Sequence, residues 1–210
     1  MGRHKALLPM PQSGEPLITV IIRRMRPLVT GRIIVVANDE PIRAFLRADA
    51  LVHLCCDRTQ DAGPLAGLSI GLSNCVGWAM TVACDMPFVD PGVWRLLVSY
   101  IEAQPEEDCA HIDAIVPIIQ GRRQPLHALY HRRCIGQVDR LVGAKQYKMQ
   151  ELLDSIRVRY VDESSLQAVD PRFRSFTNVN TPEEWQMVED ILCSAEEETF
   201  EADMPNACFK

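Results

Sequence analysis

With 210 residues, 47% of them hydrophobic and 24% charged, the chain has a globular composition and the size of one ordinary α/β domain. No apolar stretch nears the roughly 20 residues of a membrane helix, and Met1-Gly2-Arg3-His4-Lys5-Ala6 carries neither a signal-peptide core nor a myristoylation signal. The net charge of −6 hides an asymmetry: nine acids and no base lie between Glu183 and Asp203, leaving +2 on residues 1–182. That body can accept anionic substrates in a local cleft, but it lacks the dense basic stripe of a nucleic-acid binder.

Apolar runs alternate with helical patterns, which predicts β-α-β units and a mostly parallel sheet. A helix is expected over Leu17 to Met25, stopped by Pro27, then a buried strand over Arg32 to Ala37. Pro41 suits the first turn of a helix ending near Arg47, and Ala50 to Cys55 reads as a second strand. Leu65, Leu68 and Leu72 have helical spacing, so Gly63 and Pro64 fall at a helix N-terminus, where free N–H groups favour an anion. Trp78 to Ala83 is the third strand, and Pro91 opens a helix to about Gln104, before an acidic surface loop over Pro105 to Asp108.

Ala114 to Ile119 and Pro125 to Tyr130 read as strands joined by a turn at Gly121-Arg122-Arg123. Helices over Arg133 to Val142 and Met149 to Ser155, and a strand over Val158 to Val161, come next. Thr181-Pro182-Glu183-Glu184 is a capping box with Pro at the first helical position, opening a helix to about Leu192. The domain is therefore expected over residues 1–194, with an acidic, mobile tail over 195–210. The eight cysteines (55, 56, 75, 84, 109, 134, 193 and 208) show no C-x-x-C pair and no zinc spacing, which predicts reduced thiols in a cytoplasmic protein.

Two segments carry the chemistry. Cys84-Asp85-Met86-Pro87 puts a lone carboxylate just past a strand, the edge where open α/β sheets bind ligands. Gly63-Pro64-Leu65-Ala66-Gly67 lets backbone approach phosphate nearby. An acid beside such a segment suits a metal ion holding a nucleoside triphosphate. Nothing in the sequence has the pattern of a Ser/His/Asp or Cys/His hydrolase.

Taken in order, these segments join Met1-Gly2-Arg3-His4-Lys5-Ala6-Leu7-Leu8-Pro9, Gln124-Pro125-Leu126-His127-Ala128-Leu129-Tyr130 and Thr177-Asn178-Val179-Asn180-Thr181-Pro182-Glu183-Glu184. The series resembles the molybdenum cofactor guanylyltransferases over residues 1 to about 192. The resemblance implies a three-layer α/β, Rossmann-like nucleotidyltransferase fold with a mostly parallel central sheet. It also implies transfer of GMP from Mg2+-bound GTP to molybdopterin with release of pyrophosphate, and partners among the molybdoenzymes or their chaperones. Members of the family begin with a short strand and a Gly-rich loop just before the Met-Gly-x-x-Lys stretch. Here the chain starts at Met1 of that stretch, so the expectation is an internal methionine taken for the start; a remnant that only binds the cofactor is the alternative.

By that resemblance Lys5 bridges the triphosphate and neutralises charge at the α-phosphate, and Asp85 binds Mg2+, where a single protein carboxylate suffices. Asp57 either accepts hydrogen bonds from guanine or ribose or caps a loop, and Asn38 is a further nucleotide contact or a turn residue. Gly63 and Gly67 flank the helix start that faces the nucleotide, or serve a tight turn and close helix–sheet packing. Asn178 and Asn180 alternate on an extended segment and so share a side, that of the acceptor. His127, and less so Arg122 and Arg123, are candidates for holding the second anionic substrate. A cytidylyltransferase acting on the same cofactor or on a small alcohol phosphate is the rival enzyme.

Overall fold

The computed structural model describes residues 5–57, 63–103 and 112–202, with side chains as far as residue 194. Helix α1 (Leu17–Met25) forms where expected: Leu17, Ile18, Val20, Ile21, Ile22 and Met25 are buried, and a short 3-10 turn at Arg26–Leu28 absorbs Pro27. Strand β1 (Ile33–Val36), helix α2 (Glu40–Leu46) and strand β2 (Val52–Cys55) make one β-α-β unit. Its strands pair in parallel, Ile33 opposite Val52 and Val36 opposite Cys55. Helix α3 (Gly63–Ser73), strand β3 (Trp78–Val82) and helix α4 (Pro91–Glu102) follow, with the Asp90 side chain accepting from Gly92 N–H to cap α4.

Next come β4 (Ala114–Ile119), the two-residue β5 (Arg122–Arg123) and β6 (His127–His131). Helices α5 (Ile135–Gly143) and α6 (Met149–Ser155) lead to β7 (Val158–Val161), α7 (Glu163–Gln167) and α8 (Pro182–Ala202). The last helix runs ten residues past the Leu192 limit read from its apolar pattern, so the first part of the expected tail is helical backbone. The acidic loop expected over Pro105 to Asp108 lies outside the described residues.

The expected mostly parallel sheet is corrected by the pairing. β1–β2 and β4–β7 are parallel, but β3–β6, β6–β4 and β4–β5 are antiparallel. The connection from β4 to β6 explains this. Seven residues join them, too few for the dozen or more that a parallel crossover needs. Gln120 (φ 50°) and Gly121 (φ 70°) instead fold Arg122 and Arg123 back onto Ile119 and Ile118 as a hairpin. β6 then inserts between β4 and β3, running against both.

Three layers result. Along β4 and β6, Ile115 and Leu129 face one side, packed with α1, α4 and the start of α8, while Ala114, Val116, Ala128 and Tyr130 face α3, α5 and α6. A third cluster sets Ala6, Ile18, Ile22 and Leu46 against Val35, Val52 and Leu54. Helix α1 therefore spans both sheet pieces, and Ile33 packs against both clusters. Among the described residues, β1 pairs only with β2 and β3 only with β6, so each has an unpaired edge. No helix among the described residues is long and apolar enough to cross a membrane.

Candidate active site

Three distant parts of the chain meet at the carboxyl end of β3. Lys5 opens a 3-10 turn, Lys5–Leu7, whose Ala6 is buried in the cluster under α1. Its Nζ donates to Asn180 Oδ1 at 2.8 Å, so this lysine is not a frayed terminal residue. Asp85 follows β3, and its main-chain carbonyl accepts from Val179 N–H at 2.9 Å. Val179 is buried while Asn178 and Asn180 on either side are exposed, which is the same-side alternation expected of an extended segment. Lys5, Asp85, Asn178 and Asn180 are thus brought together.

Asp85 is the electrostatically perturbed carboxylate of this group. Its carboxyl is pushed above the ordinary 3.8, chiefly by burial; its own backbone amide and Lys5 oppose the shift, and Glu184 adds to it. Its Oδ1 is buried with no hydrogen-bond partner. Buried polar atoms are almost always paired, so the vacancy marks a place for a polar ligand or a hard cation. Among the described residues no group of three or more His, Cys, Asp or Glu side chains could hold a metal. One carboxylate with an open oxygen still fits Mg2+, which takes most of its shell from phosphate and water.

Glu184 was legible only as half of a capping box. Its carboxylate accepts from Asn180 N–H and Thr181 N–H, while Thr181 Oγ1 accepts from Glu184 N–H at 3.1 Å. The box thereby fixes the backbone of Asn180, which holds Lys5. The site signal was in the spacing all along, since the box follows directly after the Asn pair.

Asn38 and Asp57 form a second group, at the carboxyl ends of β1 and β2. Asp57 N–H donates to Asn38 Oδ1 at 2.8 Å, and Arg43 donates to the carbonyls of Ala37 and Cys55. Gly63 begins α3 at φ 60°, a left-handed conformation that glycine adopts without strain. Gly67 faces Val36, whose Cβ would lie 4.0 Å from an added Cβ, so its place fits close helix–strand packing. A cavity of about 460 Å³, lined by Asp57, Cys55, Ser69, Ser73 and Asn74 among others, opens beside α3 and shares only Asp57 with the candidate residues.

His127 is overturned as a substrate contact. It is 0% exposed, because position 127 falls on the same face of β6 as Leu129, inside the core. Its ring stacks on Trp94 at 4.4 Å between centroids and tilts against Phe176 at 4.7 Å. Nδ1 lies 3.4 Å from Met86 Sδ. Burial drops its pKa to about 3. Arg123 bonds Asp154 and Gln150 on α6 and sits over the Tyr160 ring, and Arg122 is exposed. The six described cysteines are free thiols.

A model of the MobA-like NTP transferase domain matches residues 1–161. The chain belongs to that family. By that membership it is a nucleotidyltransferase, and the motif resemblance holds. A probable molybdenum cofactor guanylyltransferase of Bacillus anthracis is 36% identical over 185 residues, 88% of this chain and 86% of that protein. Among solved structures, the molybdopterin-guanine dinucleotide biosynthesis protein A of Archaeoglobus fulgidus superposes with a TM-score of 0.75 at 25% identity, covering 92% of each chain. The 4-diphosphocytidyl-2C-methyl-D-erythritol synthase of Anaerococcus prevotii shares the fold, with a TM-score of 0.61 at 13% identity and coverage of 86% and 87%.

Proposed function

We propose that the chain transfers the guanylyl group of GTP to molybdopterin with release of pyrophosphate, in the synthesis of a guanine dinucleotide form of the molybdenum cofactor. The observation that carries this reading is the convergence of Lys5 and Asn180 beside a buried Asp85 whose Oδ1 lacks a partner. The named guanylyltransferase relatives supply the choice of guanine and of acceptor.

In this reading a phosphate oxygen of molybdopterin attacks the α-phosphorus of GTP in line. The new P–O bond forms as the bond to the β-phosphate oxygen breaks, and pyrophosphate departs with the electron pair. Lys5 sets a positive charge against the oxygens on which charge builds, and Asn178 and Asn180 bind on the acceptor side. Asn38, Asp57 and the start of α3 at Gly63 orient the nucleotide. Asp85 would hold Mg2+ as its protein ligand, and the ion would supply charge neutralisation to the triphosphate.

The test is pyrophosphate release from the chain supplied with molybdopterin, Mg2+ and either GTP or CTP. Release with GTP, and with CTP at about a tenth of that rate or less, is the expected result. A preference for CTP overturns the guanine assignment. Molybdopterin binding without release from either nucleotide overturns the transferase reading in favour of a binding protein.

A further inference from the structure

The turn over residues 83–90 carries Asp85 yet has no helix or strand of its own. What holds it is a set of ties from elsewhere. Ala83 N–H donates to the Leu126 carbonyl, and Val179 N–H to that of Asp85. Met86, Phe88 and Val89 are buried as apolar anchors, with Met86 against His127. The remaining tie is a side chain from a different layer. Arg24, in the last turn of α1, donates through one guanidinium nitrogen to the carbonyls of Pro87 at 2.9 Å and Val89 at 3.3 Å.

We propose that Arg24 is a positioning residue for Asp85, its guanidinium clamping the Pro87 and Val89 carbonyls so that the turn presents the carboxylate to the site. This rests on the reading of Asp85 as the working carboxylate. Two features distinguish Arg24 from ordinary helix-end basicity. Its neighbour Arg23 is exposed and pairs with Glu15 at 3.0 Å, whereas Arg24 is partly buried and its pKa is lowered, first by desolvation and then by Arg23, with Asp90 opposing. A cation is costly to place there, and an apolar side chain of similar length fills the same volume without that cost. What only a donor supplies is partners for two inward-turned carbonyls, one on either side of Phe88. Holding both carbonyls fixes the backbone within four residues of Asp85.

The clamp is tested on the full chain with R24M and R24K. In R24M, kcat for GMP transfer is expected to fall about 10- to 100-fold while KM for GTP stays within about threefold, because the loss is one of carboxylate placement. R24K, which restores a cationic donor, is expected to recover most of kcat. A second readout does not depend on turnover. By amide hydrogen exchange, the backbone N–H groups over residues 83–90 are expected to exchange about tenfold faster in R24M than in the wild type, while those in the middle of α4 keep their wild-type rate. Wild-type kcat in R24M, or exchange over residues 83–90 that stays at the wild-type rate, overturns the proposal. If R24M melts more than about 10 °C lower, R24Q takes its place under the same two criteria. If the wild type shows no GMP transfer, the functional reading fails and hydrogen exchange over residues 83–90 decides the clamp.

Discussion

In β4 and β6 all but one residue of each strand is buried, whereas every residue of β1, β2 and β3 keeps part of its surface. The five strands are similar in composition, short and largely apolar, so composition does not explain the difference. Neighbours do. β4 and β6 have a partner on each side, while β1, β2 and β3 each pair on one side only among the described residues. The candidate residues collect on the less covered half, at the strand ends of β1, β2 and β3. The closed half supplies what they need, a packed floor of Met86, Trp94, His127 and Leu129 under the Asp85 turn. One half is built to hold still and the other to be reached.

Asp85→Asn separates the two roles most sharply. Turnover is expected to fall about a thousandfold, as for loss of a group that fixes charge in the transition state. The melting temperature should stay level or rise, since a desolvated carboxylate with an unpaired oxygen is replaced by a neutral amide. Steady-state kinetics and a thermal melt on the same sample check both, and a parallel loss of stability breaks the division of labour.

Next in size is a matched pair of truncations. Leu129→Ala, on the closed half, is expected to cost about 3 kcal/mol. Val35→Ala, on the half-covered pair, should cost about 1 kcal/mol, because its side chain already meets solvent. Urea titrations measure both, and equal costs erase the contrast.

A pH-dependent effect concerns His127. Its folded pKa of about 3 lies below the ordinary 6.5, so between those values the unfolded chain binds a proton that the native one does not. Its contribution is complete above pH 6.5 and is lost as the pH falls toward 3, by about 3 kcal/mol between pH 7.5 and 4.5. His127→Phe keeps the ring against Trp94 and should flatten that part of the stability profile. An unchanged profile means the imidazole reaches water.

Helix α1, strands β4 and β7 and helix α6 were legible to the residue because each pairs a clear apolar period with a breaker such as Pro27 or a turn such as Gly121. Strand direction was not, because alternation of side chains is the same for parallel and antiparallel neighbours; only the length of the link between β4 and β6 held that information. Lys5, Asp85, Asn178 and Asn180 stand out as candidates through motif order, and their convergence follows from contacts between residues 175 apart that no local pattern encodes. His127 was misjudged because a histidine in a motif invites a chemical role. Its place in β6, one alternation from Leu129, pointed inward. Arg24 left no trace in the sequence beyond a basic helix end.

Val179 sits between two exposed asparagines with its side chain buried and its N–H spent on Asp85. Because alternation has a period of two, inserting or deleting a single residue just ahead of it would swing both amides into the interior and a valine out to water. That short stretch therefore tolerates changes of residue type far better than changes of length.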